Sequence, residues 1–197
     1  MKILLLNPDC HADPELDKMA AVLAEKLEKE GFESDIRSFA EDIRGCVYCG
    51  KCYRAGRCMI QDEVNDILDQ KGGYAGYIVL VKPVYGDISA NCRNLMERLL
   101  RCNPAGFSLR PVMTVIGGRK KAGKVHSVMN QLYSEANMYL YMTRNHNVFD
   151  MDDPDWEKNL SVMIQGFCFL TKSLLNAGEI RQEYSMAIAG KTTSFLR

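Results

Sequence analysis

Four cysteines fall within thirteen residues, as Cys46-Val47-Tyr48-Cys49-Gly50-Lys51-Cys52 followed by Cys58, a C-x2-C-x2-C-x5-C pattern. Thiolates bind soft metals, so the spacing decides which chemistry is open. Structural zinc is usually held by paired C-x2-4-C knuckles far apart in the chain, a poor match to three thiols at steps of three. The same steps wrap well around an iron-sulfur cubane, whose separate irons each need one thiolate. Gly45, Gly50 and Gly56 let the backbone approach inorganic sulfide, and Lys51, Arg54 and Arg57 offset a cluster's negative charge. A 4Fe–4S centre is the first reading of Cys46, Cys49, Cys52 and Cys58; zinc and reduced structural thiols are the other two.

The chain has 8 cysteines in 197 residues. Its apolar start, Met1 to Leu6, is cut off at Asn7-Pro8-Asp9, too early for an export signal. A cytoplasmic, reducing compartment follows, which favours metal or redox use of cysteine over a disulfide framework. Cys92 and Cys168 lie among apolar residues and read as core. Cys10 is a loop thiol, either reactive or inert, Cys102 has no evident role, and His126 and His146 have no motif around them. Lys and Arg number 25, as do Asp and Glu, so the basic excess of a nucleic-acid or membrane-surface binder is missing. No stretch approaches the roughly 20 apolar residues of a membrane span.

The elements that must carry these residues alternate. Lys2 to Leu6, Phe32 to Phe39, Tyr77 to Val81, Val112 to Ile116 and Tyr139 to Met142 read as strands. A helix starts at Asp13-Pro14-Glu15 with Asp13 as cap and Pro14 in the first turn, and ends at Gly31. Further helices are expected over 62–71, from about Ile88 to Cys102, over 121–137, and from Trp156 to Asn176 with Gly178 as the stop; the tail from Glu179 has no clear period. Alternating strands and helices imply βαβ units and a parallel sheet covered on both faces. The expected fold is α/β, a flavodoxin-like three-layer sandwich with a five-stranded parallel sheet. A cysteine-rich loop at 45–60 follows the second strand, and a helix and tail at 154–197 complete one domain over 1–197.

The segment Cys46 to Asp62, followed by a strand and Pro83-Val84-Tyr85-Gly86-Asp87-Ile88-Ser89-Ala90, resembles the iron-sulfur flavoproteins within the NADPH-dependent FMN reductase family. The resemblance covers roughly residues 1–150. It implies a 4Fe–4S cluster on the four cysteines and FMN along Pro83, Val84, Tyr85, Gly86, Asp87 and Ser89. It also implies that Gly117, Gly118 and Arg119, with Gly123 behind, close the flavin's other side. From the residues alone, Tyr85 either stacks on a ring or packs at a strand end, and Ser89 and Asn91 either meet the ring edge or cap a helix. Arg119 and Lys120 either hold a phosphate or form a solvated turn.

One loop departs from the pattern. Where the family has a Gly-, Ser- and Thr-rich phosphate loop, this chain reads Pro8-Asp9-Cys10-His11-Ala12-Asp13-Pro14-Glu15. Helix N-termini attract anions through free N–H groups, and here Pro14 removes one while Asp9, Asp13, Glu15 and Asp17 add negative charge.

Two functions follow. In the first, a cluster and FMN exchange electrons, with ferredoxin or another redox protein as donor and a small molecule such as a quinone or dioxygen as acceptor. In the second, a flavin-less scaffold keeps the cluster as an electron relay or redox sensor. The final helix, apolar from Trp156 to Leu175 over more than one stripe, points to a homodimer or homotetramer.

Overall fold

The computed structural model describes residues 1–9, 14–39, 41–70, 73–102, 104–118, 123–143 and 147–194. Cys10, His11, Asp13, Arg119, Lys120 and His146 lie outside the described residues.

Strands β1 (Lys2–Asn7), β2 (Glu33–Ser38), β3 (Tyr74–Val81), β4 (Pro111–Gly117), β5 (Tyr139–Leu140) and β6 (Val148–Phe149) form one parallel sheet. Every residue of β3 and β4 is buried, the continuous apolar pattern of strands covered on both faces. β2, at one edge, is partly exposed. The order β2-β1-β3-β4-β5 is the flavodoxin-like doubly wound order, with its switch point between β1 and β3. Ligands of such sheets bind beyond the carboxyl ends of the strands; the segments that follow those ends here are Pro8–Asp9 after β1 and Lys82–Ser89 after β3.

Helices α1 (Pro14–Lys29) and α7 (Trp156–Ser194) cover one face. On the other lie α3 (Glu63–Asp69), α4 (Ala90–Cys102) and α6 (Gly123–Glu135). Two cores result. Leu16, Met19, Leu23, Leu160, Ile164 and Phe167 pack with Ile3, Leu5 and Ile78 on the first face. Cys92, Leu95, Leu99 and Met129 pack with Leu4, Val79 and Val112 on the second, and Cys52 and Cys58 belong to that second core.

The fold differs from the sequence reading in four places. The fifth sheet position is split: β5 pairs with the start of β4 and β6 with its end. Buried Asn147 bridges the gap, its amide donating to the Tyr141 carbonyl and its side-chain oxygen accepting from the Thr143 N–H. A polar residue inside a strand position is invisible to apolar periodicity. Second, α4 begins at Ala90 rather than Ile88, because Ser89 caps it by accepting from the Cys92 N–H at 2.9 Å. Third, two short helical segments, α2 (Cys52–Ala55) and α5 (Pro104–Phe107), interrupt stretches read as loop. Fourth, α7 continues through Gly178 to Ser194: glycine costs a helix only about 1 kcal/mol and does not force its end. Its part from Trp156 to Gly178 is long and apolar enough to cross a membrane by length and composition. Here Trp156, Leu160, Met163, Ile164, Phe167 and Cys168 seal the α1 side of the sheet instead.

Candidate functional site

The turn after β3 is built by Tyr85 and Gly86, both in the left-handed region, at φ 50° and 81°. Val84 and Asp87 exchange both backbone hydrogen bonds across it, at 2.9 and 3.0 Å. Two successive positive φ values make a tight turn of the type that closes hairpins, and glycine at the second position accepts it without strain. The consequence is a projecting Tyr85 ring that is fully exposed among the described residues. Asp87 anchors the turn, accepting from the Ile88 N–H at 2.8 Å and pairing with Lys124 of α6 at 2.8 Å. The hydrogen bond from Lys124, then that from Ile88, holds its carboxyl below the ordinary carboxylate value. Gly118, at φ 127°, lies past the end of β4 with its N–H donating to the Phe149 carbonyl. Pro83 and Gly86 are half-buried and Val84 is exposed beside them.

The loop after β1 reaches the same edge. Asp9 is buried there and accepts from the Ser89 hydroxyl at 2.8 Å. Glu15 pairs with Lys82 at 3.3 Å, and Asp17 accepts from the Asn7 amide at 2.8 Å. Ser89 is thus the cap of α4 and the link between the two loops at once. For FMN, the ring side fits: an exposed aromatic ring stands at the carboxyl end of β3. Toward a phosphate the described residues present Asp9, Glu15 and Asp17, and 10–13 and 119–122 lie outside the description. Two recesses lie elsewhere, at the amino edge of the sheet; one of about 430 Å³ is lined by Lys2, Tyr74, Arg110 and Lys172 among others.

The cysteine loop lies along α4. Residues Asn91, Asn94, Arg98 and Arg101 recur at steps of three and four, so they form one polar stripe on that helix. Asn91 accepts from the Ile43 N–H at 3.1 Å and Asn94 donates to the Ile43 carbonyl at 2.7 Å. Fully buried Arg98 clamps both ends of the loop: it donates to the Arg44 carbonyl at 3.2 Å, to the Ile60 carbonyl at 3.3 Å, and by two bonds of 2.5 and 2.7 Å to Asp62. Burial opposes its charge, yet Asp62 and the adjoining Cys58 outweigh that and raise its pKa further. Arg101 lies over the Tyr48 ring at 4.7 Å and reaches the Tyr53 hydroxyl at 3.4 Å.

Cys58 is held twice more. Buried Asn65 of α3 accepts from its N–H at 3.1 Å and donates to its carbonyl at 3.2 Å. Asp62, also the cap of α3, accepts from the Val64 N–H. Cys52 opens α2, which ends at Gly56 in the left-handed region. Cys52 and Cys58 are buried, Cys46 half-buried and Cys49 exposed, all with free thiols. The structure therefore turns two of the four predicted ligands inward and two outward. No group of three or more His, Cys, Asp or Glu converges as a metal site among the described residues. The donor set nevertheless suits a cluster in its chemistry: four thiols share one loop without strand pairing. Beside Cys58, the buried Arg98 Nε donor also has no hydrogen-bond partner among the described residues.

Neither Arg98, Asn65 nor Cys102 was singled out from sequence for this site. The signal for Arg98 is present, as polar residues at helical spacing opposite an apolar face. Cys102 carries no such signal; it meets Cys52 and Cys58, and burial together with those neighbours pushes its thiol up to about 12. Cys92 and Cys168 are buried, as their apolar surroundings imply, and burial raises both thiols. Arg57 pairs with Asp69 at 3.2 Å, while Lys51 and Arg54 are exposed.

The sequence pattern of the NADPH-dependent FMN reductase family matches residues 1–150. An iron-sulfur flavoprotein of Methanocaldococcus jannaschii is 33% identical over 112 residues, covering 55% of this chain and 57% of that protein. An iron-sulfur flavoprotein of Methanosarcina thermophila is 24% identical over 135 residues, covering 66% of this chain and 70% of that one. The chain thus spans little more than half the length of the first and about two thirds of the second. Among solved structures, a flavoenzyme NAD(P)H:acceptor oxidoreductase of Paracoccus denitrificans superposes with a TM-score of 0.67 at 9% identity, over 87% of this chain and 97% of that one. A variant flavodoxin of Pseudomonas aeruginosa gives 0.57 at 13% identity, over 87% and 99%. These two establish the fold alone.

Proposed function

The chain belongs to the NADPH-dependent FMN reductase family, and from that premise we propose a flavin oxidoreductase that passes electrons between a 4Fe–4S cluster and FMN. Cys46, Cys49, Cys52 and Cys58 would hold the cluster. Pro83, Val84, Tyr85, Gly86, Asp87 and Ser89, with Gly117, Gly118 and Arg119 opposite, would hold the flavin. Such a cluster exchanges one electron and a flavin one or two. The observation that carries the proposal is that one helix, α4, supports both loops: its cap Ser89 adjoins the Tyr85 turn and its polar stripe anchors the cysteine loop. Tyr85 supplies a stacking face, Asp87 and Lys124 fix the turn, and Arg98 and Asn65 orient Cys58.

A helix of 13 residues spans about 20 Å. Ser89 and Cys102 stand at its two ends, and the cysteine loop lies along it from Asn91 to Arg101. Pairing of subunits would bring a cluster nearer a partner's flavin, and Val162 and Phe169, exposed on α7, offer apolar surface for a homodimer or homotetramer. Ferredoxin or another redox protein is the proposed donor and a small molecule the acceptor.

Buried Asp9 favours the second reading, a flavin-less relay, because a carboxylate at the phosphate end of the sheet repels an anion. Anaerobic purification followed by assays of iron, sulfide, zinc and flavin per chain separates the two. Iron, sulfide and flavin together support the oxidoreductase. Iron and sulfide with no flavin after FMN is added leave the relay, and zinc alone removes both. Cys49→Ser is expected to bleach the cluster absorption; full iron content in that variant would refute the ligand assignment.

A further inference from the structure

Cys102 closes α4 with 7% of its surface exposed, against Cys52 and Cys58 at 8% each. The Cys52 Sγ lies 4.0 Å from the carbonyl of adjacent Arg101, and Cys52 and Cys58, after burial, help to raise the pKa of the Cys102 thiol. Three free thiols from two separate segments therefore meet inside one core. In the function proposed above, two of them are cluster ligands and the third is not. Disulfides require Cβ atoms about 3.5–4.5 Å apart, a spacing set by backbones rather than by side-chain rotation, and the approach of the Cys52 thiol to the Arg101 carbonyl brings the backbones of loop and helix together beside Cys102. Cys46 and Cys49, further out on the loop, are half-buried and exposed.

We propose that, in the iron-free chain, Cys102 forms a reversible disulfide with Cys52 or Cys58, which withdraws a ligand and closes the site to a cluster until it is reduced. With dioxygen as oxidant, two S–H bonds break and one S–S bond forms. Two electrons and two protons pass to dioxygen, giving hydrogen peroxide. A dithiol reductant reverses the bond by exchange through a mixed disulfide. Such a bond fits the transient, redox-responsive disulfides of reducing compartments rather than a structural staple. The clamp by Arg98 keeps the loop beside α4, so the thiols stay together without iron.

The test uses the full chain, stripped of iron by a chelator and reductant without air, and assayed to confirm that iron is gone. Half is then exposed to air, and both halves are unfolded, alkylated and digested with trypsin. Lys51, Arg54, Arg57 and Arg101 place Cys52, Cys58 and Cys102 on separate peptides, apart from the one that carries Cys46 and Cys49. The expected result is a loss of two alkylatable thiols and a cross-linked peptide joining Cys102 to Cys52 or Cys58, both reversed by dithiothreitol. A Cys102 that remains fully alkylatable overturns the proposal, whether or not the loop cysteines pair among themselves. Cys102→Ser is expected to take up as much iron per chain as the parent on anaerobic reconstitution; a loss would make Cys102 a ligand and also overturn it. Because the mapping uses iron-free protein, it stands apart from the cluster reading, which fails instead if the anaerobically isolated chain carries no iron or sulfide.

Discussion

Arg98 shows how much a single side chain contributes to the cysteine loop. A buried guanidinium is costly unless its donors are paired, and this one is paired with two carbonyls and a carboxylate that belong to opposite ends of the loop. Replacing it with Met leaves Asp62, three-quarters buried, without its partner. The expected loss is about 3 kcal/mol, read as a lower urea midpoint. Adding Asp62→Leu is expected to recover part of that loss, because the stranded charge goes with it; a double variant no better than the single one would show that the carbonyl bonds dominate. At this scale the sequence is legible in its chemistry and silent on its contacts. Spacing identifies Cys46, Cys49, Cys52 and Cys58 as a set, but nothing local to Cys102 says that it meets Cys52, because that contact depends on how a loop and a helix fifty residues apart pack.

Among the elements, α4 reads on both faces. Its apolar positions are evident from periodicity, whereas its polar stripe means nothing until the loop is seen lying on it. Ser89 illustrates the same limit: cap and flavin contact are both open in sequence, with the cap the more frequent use, and the 2.9 Å bond from the Cys92 N–H shows the cap. The turn beside it has a pH dependence of known sign. Lys124 depresses the Asp87 pKa below its ordinary value. The tie from turn to α6 therefore contributes fully above the ordinary carboxylate range and is lost as pH falls through the lower folded value. Carbon-detected NMR titration of the Asp87 carboxyl is expected to give a midpoint below that of a free aspartate, and Lys124→Met to move it up. An unmoved midpoint would assign the depression to the Ile88 N–H and to Arg93, 3.7 Å from the carboxyl.

For the whole molecule, the alternation of strands and helices makes a parallel sheet covered on both faces readable before any contact is known, whereas the strand order comes from the structure. The split fifth strand and the continuation of α7 are not readable either, since each depends on a polar or glycine residue tolerated by its surroundings. On α7, Phe169 is 75% exposed on a helix whose other side is sealed against the sheet. Phe169→Glu is expected to leave folding intact and to lower the sedimentation coefficient toward that of a monomer. An unchanged coefficient would place any subunit contact elsewhere. The shared role of α4 also bears on how this chain can change over generations. An α-helix turns about 100° per residue. One residue inserted between Ser89 and Arg98 would swing Arg98 and Arg101 away from the cysteine loop while leaving the Tyr85 turn where it is. The helix is therefore constrained in its length as well as in its side chains.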